Sequence, residues 1–576
     1  MLKKLYKCTE GYRFYTFITP ILVIFEVILD VIIPLIMADI IDYGIKLSDI
    51  SYIIEKGILL FIISILALIF GVLSGFTAAK ASSGFSRNLR RNMFYNIQDF
   101  SFSNIDKFSI PSLITRLTSD VGYVRQSFQM IIRISIRAPL MLIFSLIMSF
   151  RINSKISLIF LILIPYLAIM LYLISRKVHP IFTKTLKTYD KLNLVVEENI
   201  RGIKTVKSFV LEEFEKFKFN NISKKIYTNF SKAEKILALN NPVLQSAVYI
   251  AIIFISWVGA KIIVNTNATS LATGELTTLF SYTTLILSSL MMLSMVMVNI
   301  IISKSAALRI YEVLNEKTSI KEPINPIYKV ENGQIEFKNV GFSFINKFDK
   351  EVLTNINLNI KSGEVIGIIG PIGCGKSSLV NLIPRLYDVK EGEVLIAGIN
   401  VKDYDINTLR SEVSCVLQKN VLFKGTILEN IKWGNENATY EEVIEASKIA
   451  CAHEFIESFD LKYDTMISEN GNNVSGGQKQ RICIARAILK KPKILILDDS
   501  TSAVDTKTDK LIHEGLKKYI KDTTTIIISQ RISSIIDADR IIVMNNGVIQ
   551  DFAPHKELIK KNAIYKELYE SQKGSV

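Results

Sequence analysis

The sequence predicts a membrane α-helical bundle, six transmembrane helices with long cytoplasmic extensions, followed by an α/β domain built on a phosphate-binding loop. Three observations predict it. Six apolar stretches fall before residue 303, at about 15–40, 57–79, 133–150, 155–175, 243–265 and 277–301. A helix rising 1.5 Å per residue needs about 20 such residues to cross roughly 30 Å of hydrocarbon. From about residue 334 onward, short apolar runs alternate with helical stretches, the pattern of a largely parallel sheet. Within that half, Gly370-Pro371-Ile372-Gly373-Cys374-Gly375-Lys376-Ser377-Ser378 fits G-x-x-x-x-G-K-[ST], between an apolar strand at 365–369 and a helix-like segment.

Size and composition agree. A chain of 576 residues is too long for one ordinary core, and 49% hydrophobic residues is high for a soluble protein. The formal charge of +15 points to an anionic membrane surface or to nucleic acid. Much of the excess flanks apolar spans and no compact Lys/Arg block carries interleaved aromatics, so the lipid bilayer is the expected partner and nucleic acid is not. The five cysteines, Cys8, Cys374, Cys415, Cys451 and Cys483, are scattered, show no metal-ligand spacing and suggest no disulfide framework. Met1 to Arg13 is basic and leads into an apolar run too long for a signal peptide, without a small-residue cleavage site; it reads as a retained anchor.

The spans alternate with unequal connections. Those after spans one, three and five are short; Arg151 to Ser154 alone separates the third from the fourth and predicts a tight helical hairpin. Those after spans two and four are long, polar and helical in pattern, and the second carries Lys184, Lys187, Lys191, Lys204 and Lys207. The positive-inside tendency places them, and the N-terminus with Lys3, Lys4 and Lys7, in the cytoplasm. Six crossings return the chain to that side, so both termini are expected there, in a multi-pass protein of the cytoplasmic (inner) membrane. Abundant Ile, Lys and Asn suggest a bacterial chain.

Glu26 and Asp30 stand four apart in the first span and share a helix face. Each would cost about 2.5–3.5 kcal/mol at mid-bilayer, so they must face protein, water or a partner. Pairing with Arg133 and Arg137, also four apart on span three, is the favoured reading; a site for a cationic substrate is the other. Pro20, Pro34 and Pro165 mark expected kinks. The polar, proline-bearing stretch 315–333 separates a membrane domain, 1–314, from a nucleotide-binding domain, 334–576.

In the second half, the glycines let backbone N–H groups turn around a polyphosphate, Lys376 would reach its β- and γ-phosphates, and Ser377 would hold Mg2+. Lys493-Ile494-Leu495-Ile496-Leu497-Asp498-Asp499 is an apolar strand ending in Asp, which places a carboxylate beside that ion. Val474-Ser475-Gly476-Gly477-Gln478 combines a capping box, Ser475 with Gln478, with two glycines at a helix start, a second place to bind a phosphate.

With these motifs in order, the chain resembles a half-transporter of the ATP-binding cassette (ABC) exporter family, type IV fold, over nearly its whole length. The resemblance implies ATP and Mg2+ as cofactors. It assigns Phe344 to adenine stacking, Gly370, Gly373, Gly375, Lys376, Ser377 and Ser378 to the Walker A loop, and Gln418 to the Q-loop, where it would serve Mg2+ and catalysis. It assigns Glu469 to the X-loop, Ser475, Gly476, Gly477 and Gln478 to the signature, Asp498 to Walker B and Asp505 to the D-loop. Gly202 with Glu197 to Arg201 resembles a coupling segment that meets the opposite ATP module, and Ser305 to Ile310 the segment closing the last span. In this family each nucleotide lies between the phosphate loop of one module and the signature of another, so one chain with one module implies a dimer.

Two positions depart from the family. Asp499 stands where a catalytic Glu is usual, and Gln530 where the switch histidine is usual. Both weaken charge stabilisation and water activation at one phosphate, because Asp is one methylene shorter and Gln carries no positive charge. The signature is intact apart from Val474 for the usual Leu. This asymmetry predicts a heterodimer in which this chain holds a degenerate ATP site and lends its signature to the partner's. The expected cargo is a small amphipathic or hydrophobic molecule: a drug, lipid or peptide. The alternatives are a homodimer with two slow sites and an ATP-binding regulatory membrane protein with little turnover.

Overall fold

The computed structural model describes residues 2–266, 268–344, 351–500, 502–519 and 522–573. It divides into two compact units, one of residues 1–97 and 111–315, the other of residues 98–110 and 316–576.

Among the described residues of the first unit, six helical segments are long and apolar enough to cross a membrane: Arg13–Ile45, Ile50–Gln98, Ile110–Ile152, Ser154–Phe182, Glu212–Asn265 and Thr273–Asn315. The helix Ile50–Gln98 has 49 residues. At 1.5 Å each it is about 74 Å long, more than twice the hydrocarbon thickness, so the polar connections foreseen from sequence are continuations of the spans. The hairpin turn sits where expected: Ser154–Arg201 begins after Asn153, whose side chain accepts a hydrogen bond from Ile156 N at 3.2 Å. Pro20 and Pro34 lie within one helix, Arg13–Asp39.

Two apolar clusters hold the bundle. Val23, Val27 and Val31 pack with Met141 and Tyr282, joining spans one, three and six. Phe160 and Leu167 pack with Ala247, Ala251, Ile255, Leu279 and Ile286, joining spans four, five and six. Spans one and six are also sewn together by polar groups: Tyr282 Oη donates to Val31 O at 2.8 Å, Thr278 Oγ1 to Pro34 O at 2.8 Å, and the Asp42 carboxylate accepts from Gly274 N at 2.7 Å. A Cβ on Gly274 would lie 2.4 Å from Ala38 O, so only glycine permits this approach. The outward surface carries Phe61, Leu68, Ile162 and Trp257, each more than 60% exposed, which suits a lipid solvent.

The second unit has two main sheets. A six-stranded sheet runs Val548–Ala553, Arg540–Asn545, Val365–Ile369, Thr524–Ile528, Ile494–Asp498, Val413–Val416, parallel except for the first strand. Its central strands read as unbroken apolar runs because helices and the second sheet cover both faces. The second sheet is antiparallel, from Leu353–Ile360, Ile335–Phe342, Glu391–Ile396 and Ile399–Asn400. Residues 98–110, which precede the third span, cluster with this unit. Ser101 and Asn104 form a capping box at the start of Phe102–Phe108, Asn104 Nδ2 donates to Glu316 Oε1 at 3.0 Å, and Tyr387 Oη donates to Asp106 at 2.9 Å. All five cysteines are free thiols.

Candidate functional site

The parallel sheet brings three loops to one edge. Val365–Ile369 ends at the phosphate loop, Ile494–Asp498 at Asp499, and Thr524–Ile528 at the switch residue Gln530. Register makes them neighbours: Asp498 pairs with Ile528, and Ile528 with Ile368. Gln418 lies two residues beyond Val413–Val416, the strand beside Asp498, on an exposed loop at the same edge.

The phosphate loop adopts the turn its glycines permit, with φ of +157° at Gly370, +84° at Gly373 and +99° at Gly375. Gly370 has no substitute, because a Cβ there would lie 2.1 Å from Met544 O. Lys376 opens the helix Lys376–Asn381 and its Nζ reaches back across the loop to Gly370 O at 2.8 Å and Pro371 O at 2.9 Å. Ser378 follows on the same helix. Ser377 hydrogen-bonds Asp498, whose burial pushes its carboxyl above the ordinary range; the Ser377 bond opposes that shift and the Asp499 charge adds to it. Phe344 meets Tyr387 edge-on, ring centres 5.3 Å apart, beside Phe342.

The two departures from the family pattern touch each other. Gln530 Nε2 donates to Asp499 Oδ2 at 3.4 Å, and Asp499 holds a left-handed backbone with φ +48° while its N–H binds Ile528 O. An amide therefore faces a carboxylate one residue beyond Asp498.

The capping box expected at Ser475 in the signature forms. Ser475 caps Gly476–Leu489, its hydroxyl accepting from Gln478 N at 3.3 Å while Gln478 Oε1 accepts from Ser475 N at 2.9 Å. Its glycines also serve packing: a Cβ on Gly477 would lie 2.8 Å from Ala503 O. Asp505 caps the next helix through Thr508 N at 2.9 Å, and these bonds hold its carboxyl below the ordinary range. Glu469 is exposed in a short turn joined to the signature helix by Lys479 Nζ, which donates to Asn470 O at 2.7 Å.

Three residues escaped sequence reasoning. Gln480 donates to Ser502 Oγ at 3.2 Å and accepts from Ala503 N at 3.0 Å, pinning the D-loop to the signature helix. Arg531 donates to the carbonyls of Ser502 and Val504, both at 3.3 Å. Tyr387 joins Phe344 to Asp106. Gln480 and Arg531 adjoin motifs, which was the available signal; Tyr387 belongs to no pattern.

In the membrane unit, Arg137 bridges both carboxylates, Nη1 to Glu26 Oε1 and Nη2 to Asp30 Oδ2, each at 2.9 Å. Ser74 Oγ donates to Glu26 Oε2 at 3.1 Å. Arg133, the other expected partner, instead donates to Gly71 O at 3.2 Å; its guanidinium lies against Gly75, where a Cβ would lie 3.3 Å from Nη1, while the bare face of Gly71 is taken by the Glu26 carboxylate. A cavity of about 260 Å3 adjoins the cluster, lined by Asp30, Arg137, Met141, Leu285, Ser288 and Met292 among others.

Six apolar spans joined to a phosphate-loop sheet with a serine-capped, glycine-opened signature helix define a membrane transport ATPase. Comparison with known proteins agrees. A family described as "ABC transporter transmembrane region" matches residues 16–291, and one described as "ABC transporter" matches residues 353–502. The chain is 35% identical to the ABC transporter ATP-binding protein YfiB of Bacillus subtilis (strain 168), over 100% of this chain and 99% of that protein. It is 35% identical to YknU of the same organism over 92% and 88% of the two chains. In fold it is similar to a bacterial Atm1-family ABC exporter solved with ATP bound, at TM-score 0.84, 22% identity and 98% coverage of each chain. The chain belongs to the ABC transporter family. Its second unit binds ATP and is the ATPase that drives transport.

Proposed function

We propose that this chain is one half of a heterodimeric exporter of the cytoplasmic membrane, both termini cytoplasmic. It grips ATP at its own degenerate site and completes the partner's catalytic site with its signature. The observation that carries this reading is the contrast between the Asp499–Gln530 contact and the fully formed Ser475–Gln478 cap.

The residues fit the implied cofactors. The phosphate loop would cradle ATP through backbone N–H groups and Lys376, with Phe344 against adenine. Ser377, Asp498 and Gln418 are hard oxygen donors, and Ser377 already meets Asp498, so they suit Mg2+. Mg2+, when bound, neutralises charge on the transferring phosphoryl group. Asp499 is one methylene short of the usual base and Gln530 offers a neutral hydrogen bond, so this site retains nucleotide and fires slowly. Ser475, Gly476, Gly477 and Gln478 would face the partner's γ-phosphate, and Asp505 would lie at the dimer interface.

The cargo is a small amphipathic or hydrophobic molecule. The cavity supports an amphipathic cargo, since Met141, Leu285 and Met292 face polar walls formed by Asp30, Arg137, Ser288 and Ser289. Glu26, only 5% exposed, is held by Arg137 and Ser74 and is structural; Asp30 borders the cavity and would meet substrate.

Reconstitution tests the division of labour. The purified chain and a half-transporter bearing the Glu and His are assayed apart and together. Strong ATP turnover only in the mixture is expected. A chain that dimerises with itself and turns over at the mixture's rate sinks the proposal.

A further inference from the structure

The backbone around the switch residue is held from an unexpected direction. The C-terminal helix Ala563–Lys573 brings the half-buried Gln572 to this loop. Gln572 Nε2 donates to Gln530 O at 2.8 Å, and Ile532 N donates to Gln572 Oε1 at 2.8 Å. One side-chain amide, with its donor and acceptor, thus substitutes for a strand partner on either side of Arg531.

The loop needs such a partner. Thr524–Ile528 leaves the sheet ladder just before it, and Ile532 opens a short 3-10 turn, Ile532–Ser534, whose first N–H has no partner within the turn. A second tie lies beyond, where Ser534 Oγ donates to Asp509 Oδ2 at 2.6 Å. Between these ties, Gln530 aims at Asp499 and Arg531 at the D-loop carbonyls, while Gln480 carries the D-loop to the signature helix. The switch loop and the signature helix are therefore joined through the D-loop by a relay of hydrogen bonds.

We infer that Gln572 is a positioning residue for ATP hydrolysis: it brackets the switch loop at Gln530 and Ile532 and so sets the aim of Arg531 on the D-loop and, through Gln480, of the signature helix that the proposed division of labour lends to the partner's site. It contacts neither nucleotide nor reacting atoms. Glutamine suits the role because glutamate lacks the donor and methionine, of similar length, lacks both groups.

The test uses the full-length transporter reconstituted in membranes, with Gln572→Met and Gln572→Glu. Gln572→Met is expected to lower maximal ATP turnover about tenfold, through the D-loop and signature that serve the partner's site rather than through the slow site at Asp499, in line with the sensitivity of catalysis to ångström-scale misplacement. Half-saturation by ATP should stay within about twofold, since the phosphate loop is untouched. The Ile532 amide should exchange hydrogen faster while the thermal midpoint holds. Gln572→Glu keeps the acceptor for Ile532 N–H and should lose less turnover. Turnover of Gln572→Met within about twofold of the parent overturns the inference. So does a loss that appears only alongside a lowered thermal midpoint, which would mark Gln572 as merely structural.

Discussion

The two nucleotide-facing edges of the ATP module differ in completeness. The signature edge has its capping box, its close-packed glycines and Gln480 tying it to the D-loop. The phosphate edge has an intact loop and Asp498, yet its water-orienting positions hold a short carboxylate and a neutral amide in mutual contact. The proposed function makes binding and firing separable within one domain. In the proposed reading, the backbone geometry that grips phosphates is kept while the side chains that would activate water are not.

Substitutions at the two edges should separate accordingly. Ser475→Arg fills the signature with a bulky cation and breaks its cap; it should lower turnover of the assembled transporter by ~10²-fold, the scale of losing a phosphate-facing donor. Unchanged turnover would remove the signature from the reaction. Gly477→Ala sets a Cβ 2.8 Å from Ala503 O and should displace the D-loop, lowering turnover about tenfold while leaving ATP binding to this chain's own loop intact.

Asp498→Asn sharpens the comparison through two opposed readouts. Folding raises the Asp498 pKa chiefly by burial. The folded state therefore favours the protonated form, and the contribution to stability present at low pH is lost as pH rises through the raised value. At neutral pH the neutral asparagine should raise the thermal midpoint of the nucleotide-free chain while weakening Mg2+-dependent ATP binding. In the parent, that binding should weaken as pH falls toward the raised pKa. A lowered midpoint in Asp498→Asn would contradict the burial argument.

Asp499→Asn should have the smallest effect, less than about threefold on heterodimer turnover, because the proposed function makes the site it alters the slow one. Removing the partner's Glu should nearly abolish turnover. Equal losses from the two changes would erase the distinction between the edges.

Legibility followed the same physics. The six spans read clearly because lipid imposes about 20 apolar residues on any helix that crosses it, and the phosphate loop and Ser475 cap read clearly because they are local backbone devices. Asp30 and Arg137 are 107 positions apart, and nothing local tells which of two arginines a carboxylate will meet. Span two decided it: Gly75 leaves room for the Arg133 guanidinium, which bonds Gly71 O, and Gly71 leaves room for the Glu26 carboxylate that Arg137 meets. The attachment of 98–110 to the ATP-binding unit, through Asp106 and Tyr387, was equally invisible in chain order.

By itself, then, the amino-acid order determined the architecture, the nucleotide loop, the capped signature and the two departures at Asp499 and Gln530. Each rests on residue type within a short window, where hydropathy and backbone geometry act directly. Tertiary structure alone decided that those departures touch, that Arg137 serves two carboxylates, and that Gln572 reaches back 42 residues to the switch loop. These are contacts between distant segments, and only the packing of helices and strands sets their distances.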